Sequence, residues 1–533
     1  MKNYIILINL FFVLALHAQE NQFTFLLKPI DISGLAGVQS YGLGQYEGNW
    51  FIFGGRLDGL HQRQPFASFD IAGHNNQIIM IDPKSHQVWK RSVNELPVSI
   101  REPMTSTNMQ FLQEGESLIL IGGYGYSPTI GDHTTYKTIT MVHLPTLYIA
   151  LQNNAPISDA FRQISDDKFQ VTGGYLGKIN DHYFLVGGQK FLGRYNPMGP
   201  THGPGFLQEY TDAIKKFKVQ TTGNSFQISD FVEWKDTDLL HRRDYNMAAQ
   251  ILPDGSQGLT AFSGVFKHDV DLPFLNCVQI RENGFELQAD FQQLLNHYHC
   301  AHLTAYDNIH KEMYTVFFGG IAQYYEENGI LVKDDNVPFV KTIATVWRDV
   351  NGQMKEKKLP VEMPVLLGSG AEFIPMTSNK TYANGVLKYH ELSSDTTQVG
   401  YIFGGIASTG KNIFFINDGT QSSASSVFFE VSLVKVKSTS VLEYEVPKNL
   451  LMLEVFPNPA SDEIQISFTL DKMMDIELTL ADDSAKIFCS EKWPKMPKGA
   501  HSITKNISLM SSGVIHVILS NGPSKYTQKV VKL

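Results

Sequence analysis

The sequence predicts an all-β protein in which six repeated sheet units are followed by a small β-sandwich. Three observations carry this reading. An apolar strand closed by glycine recurs six times; the segments between copies hold β-branched and aromatic residues around turn chemistry; and the C-terminal stretch alternates apolar and polar with a period of two.

The N-terminus, MKNYIILINLFFVLALHAQE, places Lys2 ahead of an apolar run from Tyr4 to Leu16, and Leu16-His17-Ala18 ahead of Gln19. This is the pattern of a cleaved signal peptide over residues 1–18, because the run is short for a bilayer span of about 20 residues. No later segment is long and apolar enough to cross a membrane, so no transmembrane segment is expected. A net charge of −9 with no basic block argues against a nucleic-acid partner. Three cysteines, Cys277, Cys300 and Cys489, cannot frame an exported chain of this size, and stability must come from a large core.

The repeat reads "NWFIFGG" to Gly55, "LILIGG" to Gly123, "YFLVGG" to Gly188, "LTAFSG" to Gly264, "YTVFFGG" to Gly320 and "GYIFGG" to Gly405. Counted from the first residue of each closing pair, the spacings are 68, 65, 76, 56 and 85. A unit that cannot bury its own faces must stack on its neighbours. Paired glycines where a strand leaves a crowded centre imply positive φ or close backbone approach. Between copies, "QIIMIDPKSHQVWKRS" (Gln77 to Ser92) reads as strand, turn and outer strand. "SVFFEVSLVKV" (Ser426 to Val436) and "SVLEYEV" (Ser440 to Val446) finish the sixth copy, and "QFTFLLKPI" (Gln22 to Ile30) is expected to pair with it, leaving no open sheet edge.

The repeat resembles the kelch family, whose units carry an apolar strand ending in a double glycine, with a later strand ending in Asp and followed by Trp, as Asp82 and Trp89 do in the first copy. Trp347 and Ser263 depart from that pattern. The resemblance implies a six-bladed kelch-like β-propeller over residues 22–446, with inserted loops because the copies exceed the roughly 50 residues of a kelch unit. Two enzyme classes in this family, copper radical oxidases and six-bladed sialic acid mutarotases, share no bound set of motifs with the chain.

A linker at 447–452 precedes a change of texture at Leu453. "LEVFPNPASDEIQISFTL", "DIELTL", "VIHVIL" and "KYTQKVVKL" alternate as in an Ig-like β-sandwich. Residues 453–533 resemble the C-terminal sorting domain of type IX secretion. The landmarks are Pro457-Asn458-Pro459 through Asp462, Ser512-Gly513-Val514, and Lys529 to Lys532. The resemblance implies export through the periplasm to the outer-membrane surface or the medium, with the type IX machinery as partner.

In a propeller, ligand sites lie at one mouth of the central channel. Aligned on the glycine mark, Arg101 and Glu102 of the second copy, Arg242, Arg243 and Asp244 of the fourth, His297 and His299 of the fifth and Glu372 of the sixth fall near the starts of inner strands. "NHYHCAH" (Asn296 to His302), read as a strand, puts His297 and His299 on one face, compatible with zinc or copper if a third ligand is supplied; the bland reading, packed and hydrogen-bonded residues, is preferred and no cofactor is predicted. Arg242 or Arg243 could clamp a carboxylate, or pair with Asp244. Loops Arg56–Asp70, Gly123–Tyr136 and Arg194–Phe206 have the composition of binding surfaces for a glycan or protein ligand. No G-x-S-x-G elbow, Walker loop or H-E-x-x-H helix is present, so binding is favoured over an enzyme at the channel mouth.

Overall fold

The computed structural model describes residues 22–62, 68–195, 206–223, 225–327, 329–436, 450–470, 472–482, 486–520 and 525–532. The expected signal peptide, "SVLEYEV" and the first half of the expected linker (447–449) lie outside these residues. The chain divides into one unit over Asn21–Lys435 and a second that holds Val436–Leu533.

The first unit is built on six main sheets laid down in chain order, with a further four-stranded sheet and two two-stranded sheets formed by the segments between them. The opening sheet shows the plan: Gly42–Tyr46, Asn49–Phe53, Gln77–Asp82 and Gln87–Ser92 pair as a meander. The next five begin with inner strands Gln110–Glu114, Tyr175–Ile179, Asn246–Ile251, His302–Asp307 and Ala371–Pro375. Five of the six have four strands, and the fifth gains Leu387–Lys388 in parallel at its inner edge. The sixth sheet takes its outer strand from the other end of the chain: Phe23–Ile30 pairs with Phe428–Lys435, in register from Phe23↔Lys435 to Ile30↔Phe428.

Alternation explains why the second strands are apolar throughout. In Ser117–Ile121, Leu118 and Leu120 pack with Phe51, Phe53 and Met80 of the first sheet. Ile119 and Ile121 point the other way, to Phe169, Leu176 and Leu185 of the third. With both faces buried, no polar alternation is left to see. Further cores join the third sheet to the fourth, the fourth to the fifth and the fifth to the sixth. The sixth packs on the first through Tyr401, Phe403 and Phe428 against Tyr41, Trp50 and Ile79.

The double glycines are where one sheet meets the next. The Gly55 N–H donates to the Ser106 carbonyl at 2.8 Å, Gly123 to Val171 at 3.0 Å, Gly188 to Arg242 at 2.8 Å, Gly320 to Leu367 at 3.0 Å and Gly405 to Val38 at 3.0 Å. Both glycines of each such pair hold positive φ.

The second unit is two sheets around one core. Leu450–Phe456, Glu463–Leu470 and Gly499–Asn506 form one; Ile487–Met496, Met474–Asp482, Gly513–Ser520 and Lys525–Lys532 form the other. Ile464, Ile466, Phe468, Leu478, Leu480, Val517 and Leu519 fill the space between them. The first of these strands begins at Leu450, three residues ahead of the boundary read from the change of texture.

Candidate functional site

Six residues, one just ahead of each inner strand, close a ring of backbone hydrogen bonds. Asn108 N–H donates to the Ser40 carbonyl at 3.0 Å, Gly173 to Asn108 at 3.1 Å, Asp244 to Gly173 at 2.8 Å and His299 to Asp244 at 2.9 Å. Gly370 then donates to His299 at 3.2 Å and Ser40 to Gly370 at 2.9 Å, which returns the ring to its start. Left-handed backbone makes this possible: φ is +54° at Ser40, +53° at Asn108, +65° at Gly173, +49° at Asp244 and +79° at Gly370. Gly, Asn and Asp are the residues that enter that region most readily.

The side chains beside the ring line a cavity of about 30 Å³ with Tyr175, Gln110 and Glu372. Within it His299 Nε2 stands 3.1 Å from Glu372 Oε1, an ion-pair contact without hydrogen-bond alignment. Tyr175 meets the His299 ring edge-on at 6.4 Å. Asp244 pairs with the Arg243 guanidinium, whose Nε donates to the Tyr210 hydroxyl at 3.1 Å and whose carbon lies 5.0 Å from the centre of the Phe266 ring. Next to it, His241 is stacked between Tyr210 at 3.9 Å and His268 at 3.8 Å.

Burial on its own pushes the His299 pKa down, but Glu372 and then Asp244 outweigh it and the net shift is upward. A raised folded pKa stabilises the fold fully below the unfolded value of about 6.5 and loses that contribution as pH rises through the folded value. Unfolding midpoints in urea for the unsubstituted protein are therefore expected to fall more steeply above neutrality than those of Glu372→Gln. Parallel slopes would remove Glu372 as the cause.

Of the residues named from sequence, Asp244, His299 and Glu372 meet in this cavity, with Arg243 beside them. Four others do not, and of these Glu102 accepts hydrogen bonds from the Ser127 and Thr129 hydroxyls instead. Arg101 ends a short helix, Val98–Arg101, which the second copy inserts before its inner strand, and the ring position there is Asn108. Arg242 is fully buried in the wall, bonded to carbonyls. Residues 296–301 are not a strand, and the inner strand starts only at His302, so the two-residue period does not place His297 and His299 on one face. His297 is fully buried; its Nε2–H donates to the Gln293 carbonyl at 3.0 Å and its Nδ1 accepts from Gln323 N–H at 3.0 Å. Burial holds its pKa down to about 4. With both nitrogens engaged, it has no lone pair left for zinc or copper, and among the described residues no group of three or more His, Cys, Asp and Glu is arranged to hold a metal ion.

Ser40, Asn108 and Tyr175 escaped the sequence reading, yet a signal was there. Ser40, Asn108 and Gly173 each stand 14 residues before the first glycine of their pair (54−40, 122−108, 187−173). Insertions break that spacing in later copies.

The segments that follow each glycine pair emerge at the ring's end of the sheets and interlock there. Those of the second and third copies share a sheet built from Tyr124–Ser127, Asp132–Thr135, Gln189–Leu192 and Leu207–Tyr210. His133 Nε2 donates to the Phe69 carbonyl at 2.8 Å, and Arg194 Nε to the Ser68 carbonyl at 2.9 Å, tying in the first. Asn417 Nδ2 donates to the Leu60 carbonyl at 2.8 Å and joins the sixth to the first. Residues 63–67 and 196–205 of the loops named from sequence lie outside the described residues.

No curated protein sequence matches the chain. Among solved structures it is similar to that of YjhT, at 9% identity over 76% of this chain and 98% of that one, with a TM-score of 0.42. It is also similar to a fungal alcohol oxidase of the AA5 family in complex with copper, at 9% identity over 96% and 100%, with a TM-score of 0.36. A third likeness is to PorZ, a surface component of the type-IX secretion system of Porphyromonas gingivalis, at 9% identity over 93% and 81%, with a TM-score of 0.16. Likenesses this distant assign no activity. No helix among the described residues is long and apolar enough to cross a membrane. Residues 454–533 match the sequence model of the secretion system C-terminal sorting domain, and the protein is exported by type IX secretion to the cell surface or the extracellular space.

Proposed function

We propose that the first unit is a six-bladed kelch-like propeller that binds a ligand through the loops at one mouth of its channel, carried to the surface by an Ig-like sorting sandwich. Six sheets in chain order, six cores between them and the six-membered ring of backbone bonds support the architecture. One observation carries the binding role. Every post-glycine segment, all at the same end, exposes a large apolar side chain: Leu57, Ile130, Leu207, Val270, Ile330 and Phe415, between 39% and 71% exposed. Loops that present apolar side chains at one end of a rigid scaffold support a contact surface there. Five of the six are aliphatic, which suits a protein ligand better than a glycan, whose sugar rings stack on aromatic faces.

The His299–Glu372 pair supports the competing reading, an enzyme at the channel mouth. The size of the cavity weighs towards the binding reading. The cavity of about 30 Å³ holds one or two waters, whereas small-molecule sites run to about 300–1,000 Å³.

The test is binding of the full-length protein to purified cell-surface proteins and to a glycan array. Ile330→Ser with Phe415→Ser is expected to weaken a protein interaction roughly tenfold or more, with the unfolding midpoint unchanged. Unaltered affinity in that variant, or binding to glycans alone, would remove the apolar rim from the account.

A further inference from the structure

A second cavity lies at the other end of the sheets. The ring's end encloses about 30 Å³, whereas a cleft of about 390 Å³ opens where the third and fourth sheets turn, within the roughly 300–1,000 Å³ of small-molecule sites. Three turns meet there. Asn180 lies between Tyr175–Ile179 and His182–Val186, Gln257 opens Gln257–Phe262, and Asn283 stands in the two-residue turn that joins Cys277–Arg281 to Gly284–Leu287. Tyr175–Ile179 runs from the ring at Gly173 to Asn180, which puts the cleft at the end opposite the ring.

The charged groups of the cleft are occupied with one another. Arg281 Nη1 donates to Asp254 Oδ2 at 2.9 Å, and its Nε lies 3.7 Å from Glu286 Oε1, which also accepts Gln279 Nε2 at 2.8 Å. Glu282 Oε1 lies 2.8 Å from Lys216 Nζ and 2.7 Å from His182 Nδ1, and its Oε2 accepts Asn180 Nδ2 at 3.3 Å. This bracing holds the side chains in place and leaves little net charge. An anion would face three carboxylates, and a cation would face a guanidinium and an ammonium, so neither is favoured. The amides differ. The side chains of Gln257 and Asn283 make no hydrogen bond among the described residues. Each offers two N–H donors beside a carbonyl acceptor, the set that neighbouring hydroxyls need because each hydroxyl both donates and accepts. Phe285 adds an aromatic face, seated against the third sheet with its ring centre 6.3 Å from that of Trp234.

We propose that this cleft binds a neutral saccharide. Gln257 and Asn283 pair with its hydroxyls, Arg281 and Glu286 bound the site on the hairpin side, and Phe285 takes the C–H face of a sugar ring. A ligand rich in hydroxyls and without charge is the class that matches free amides among charges already neutralised. The site is separate from the apolar rim at the ring's end and does not depend on it.

An array of neutral and acidic oligosaccharides, probed with the full-length protein, tests it, followed by calorimetric titration with the free neutral oligosaccharide that gives the strongest signal. Binding to neutral glycans is expected. Gln257→Ala with Asn283→Ala is expected to weaken the titrated affinity roughly tenfold or more. Its melting temperature should not change, since neither side chain has a hydrogen bond to lose. Phe285→Leu keeps an apolar side chain but removes the flat face, and is expected to weaken binding several-fold. Ile309→Ser provides the control: Ile309 is 71% exposed on the corresponding turn of the fifth sheet, between His302–Asp307 and Glu312–Phe318, and its affinity is expected to match the unsubstituted protein. Binding to acidic glycans alone, or to none, overturns the proposal. So does a neutral glycan whose affinity survives Gln257→Ala with Asn283→Ala.

Discussion

Replacing Arg242 with alanine is expected to destabilise the six-sheet unit by about 4 kcal/mol, the range seen when a buried charged group is cut away from its partners. Its side chain is fully buried and has no carboxylate beside it. Nε donates to the Leu239 carbonyl at 2.7 Å, Nη1 to the Ser263 carbonyl at 2.6 Å and Nη2 to Asn276 Oδ1 at 2.9 Å. Burial lowers its pKa to about 10, which still leaves it charged at neutral pH. Truncation removes the donors and leaves three acceptors dry, each costing about 1–3 kcal/mol. Lysine cannot reproduce a planar fork of donors, so Arg242→Lys is expected to recover less than half of the loss. Four of the five tryptophans (Trp50, Trp89, Trp234 and Trp347) lie in this unit, so tryptophan fluorescence in urea reports on it directly. A loss below about 1 kcal/mol would mean that the cavity rehydrates and that the arginine is not a strut.

Arg242 also shows where reading the sequence stops. "LHRRDYN" presents two adjacent arginines that look alike, and only the fold sends one into the wall and the other beside Asp244 at the cavity. The six units were legible because their signal is local: a run of apolar residues and a glycine pair survive any insertion between copies. The cavity side chains were partly legible. Asp244, His299 and Glu372 were each named from their distance to a glycine mark, but nothing in the chain says that they face one another, because they come from three sheets. Asn108 was missed although it keeps the 14-residue spacing to its glycine pair, because the charged Arg101 and Glu102 upstream drew the reading. The histidine pair failed for a different reason. A period of two was applied to Asn296–Ala301, where the backbone turns, with φ of +53° at Asn296, before any strand begins.

Gly122→Ala is expected to cost about 3–5 kcal/mol, and Gly115→Ala only about 1 kcal/mol, although both glycines hold positive φ. The comparison separates conformation from contact. At Gly115, φ is +55° and a Cβ would meet nothing within 4 Å, so alanine bears only the left-handed backbone penalty. At Gly122, φ is +64° and a Cβ would stand 1.9 Å from the Val171 carbonyl oxygen, a backbone atom that cannot swing aside. That same oxygen accepts the Gly123 N–H at 3.0 Å, so any retreat of the third sheet stretches the bond that docks it. The approach recurs at Gly54 against Ser106, Gly187 against Arg242, Gly319 against Leu367 and Gly404 against Val38. Equal losses at 115 and 122, read as urea midpoints, would show that the glycine pair is conserved in the repeat for its φ alone. A larger loss at 122 makes it a gauge of the distance between neighbouring sheets. The fourth copy supplies the internal check, because Ser263 stands in the first position at φ +55° with its hydroxyl turned to the Phe274 carbonyl at 2.6 Å. There the fourth and fifth sheets are joined instead by Asn246, whose Nδ2 donates to the Tyr298 carbonyl at 2.8 Å and whose Oδ1 accepts the Cys300 N–H at 2.9 Å. A side chain is accepted at the glycine position only where an asparagine amide has taken over the docking.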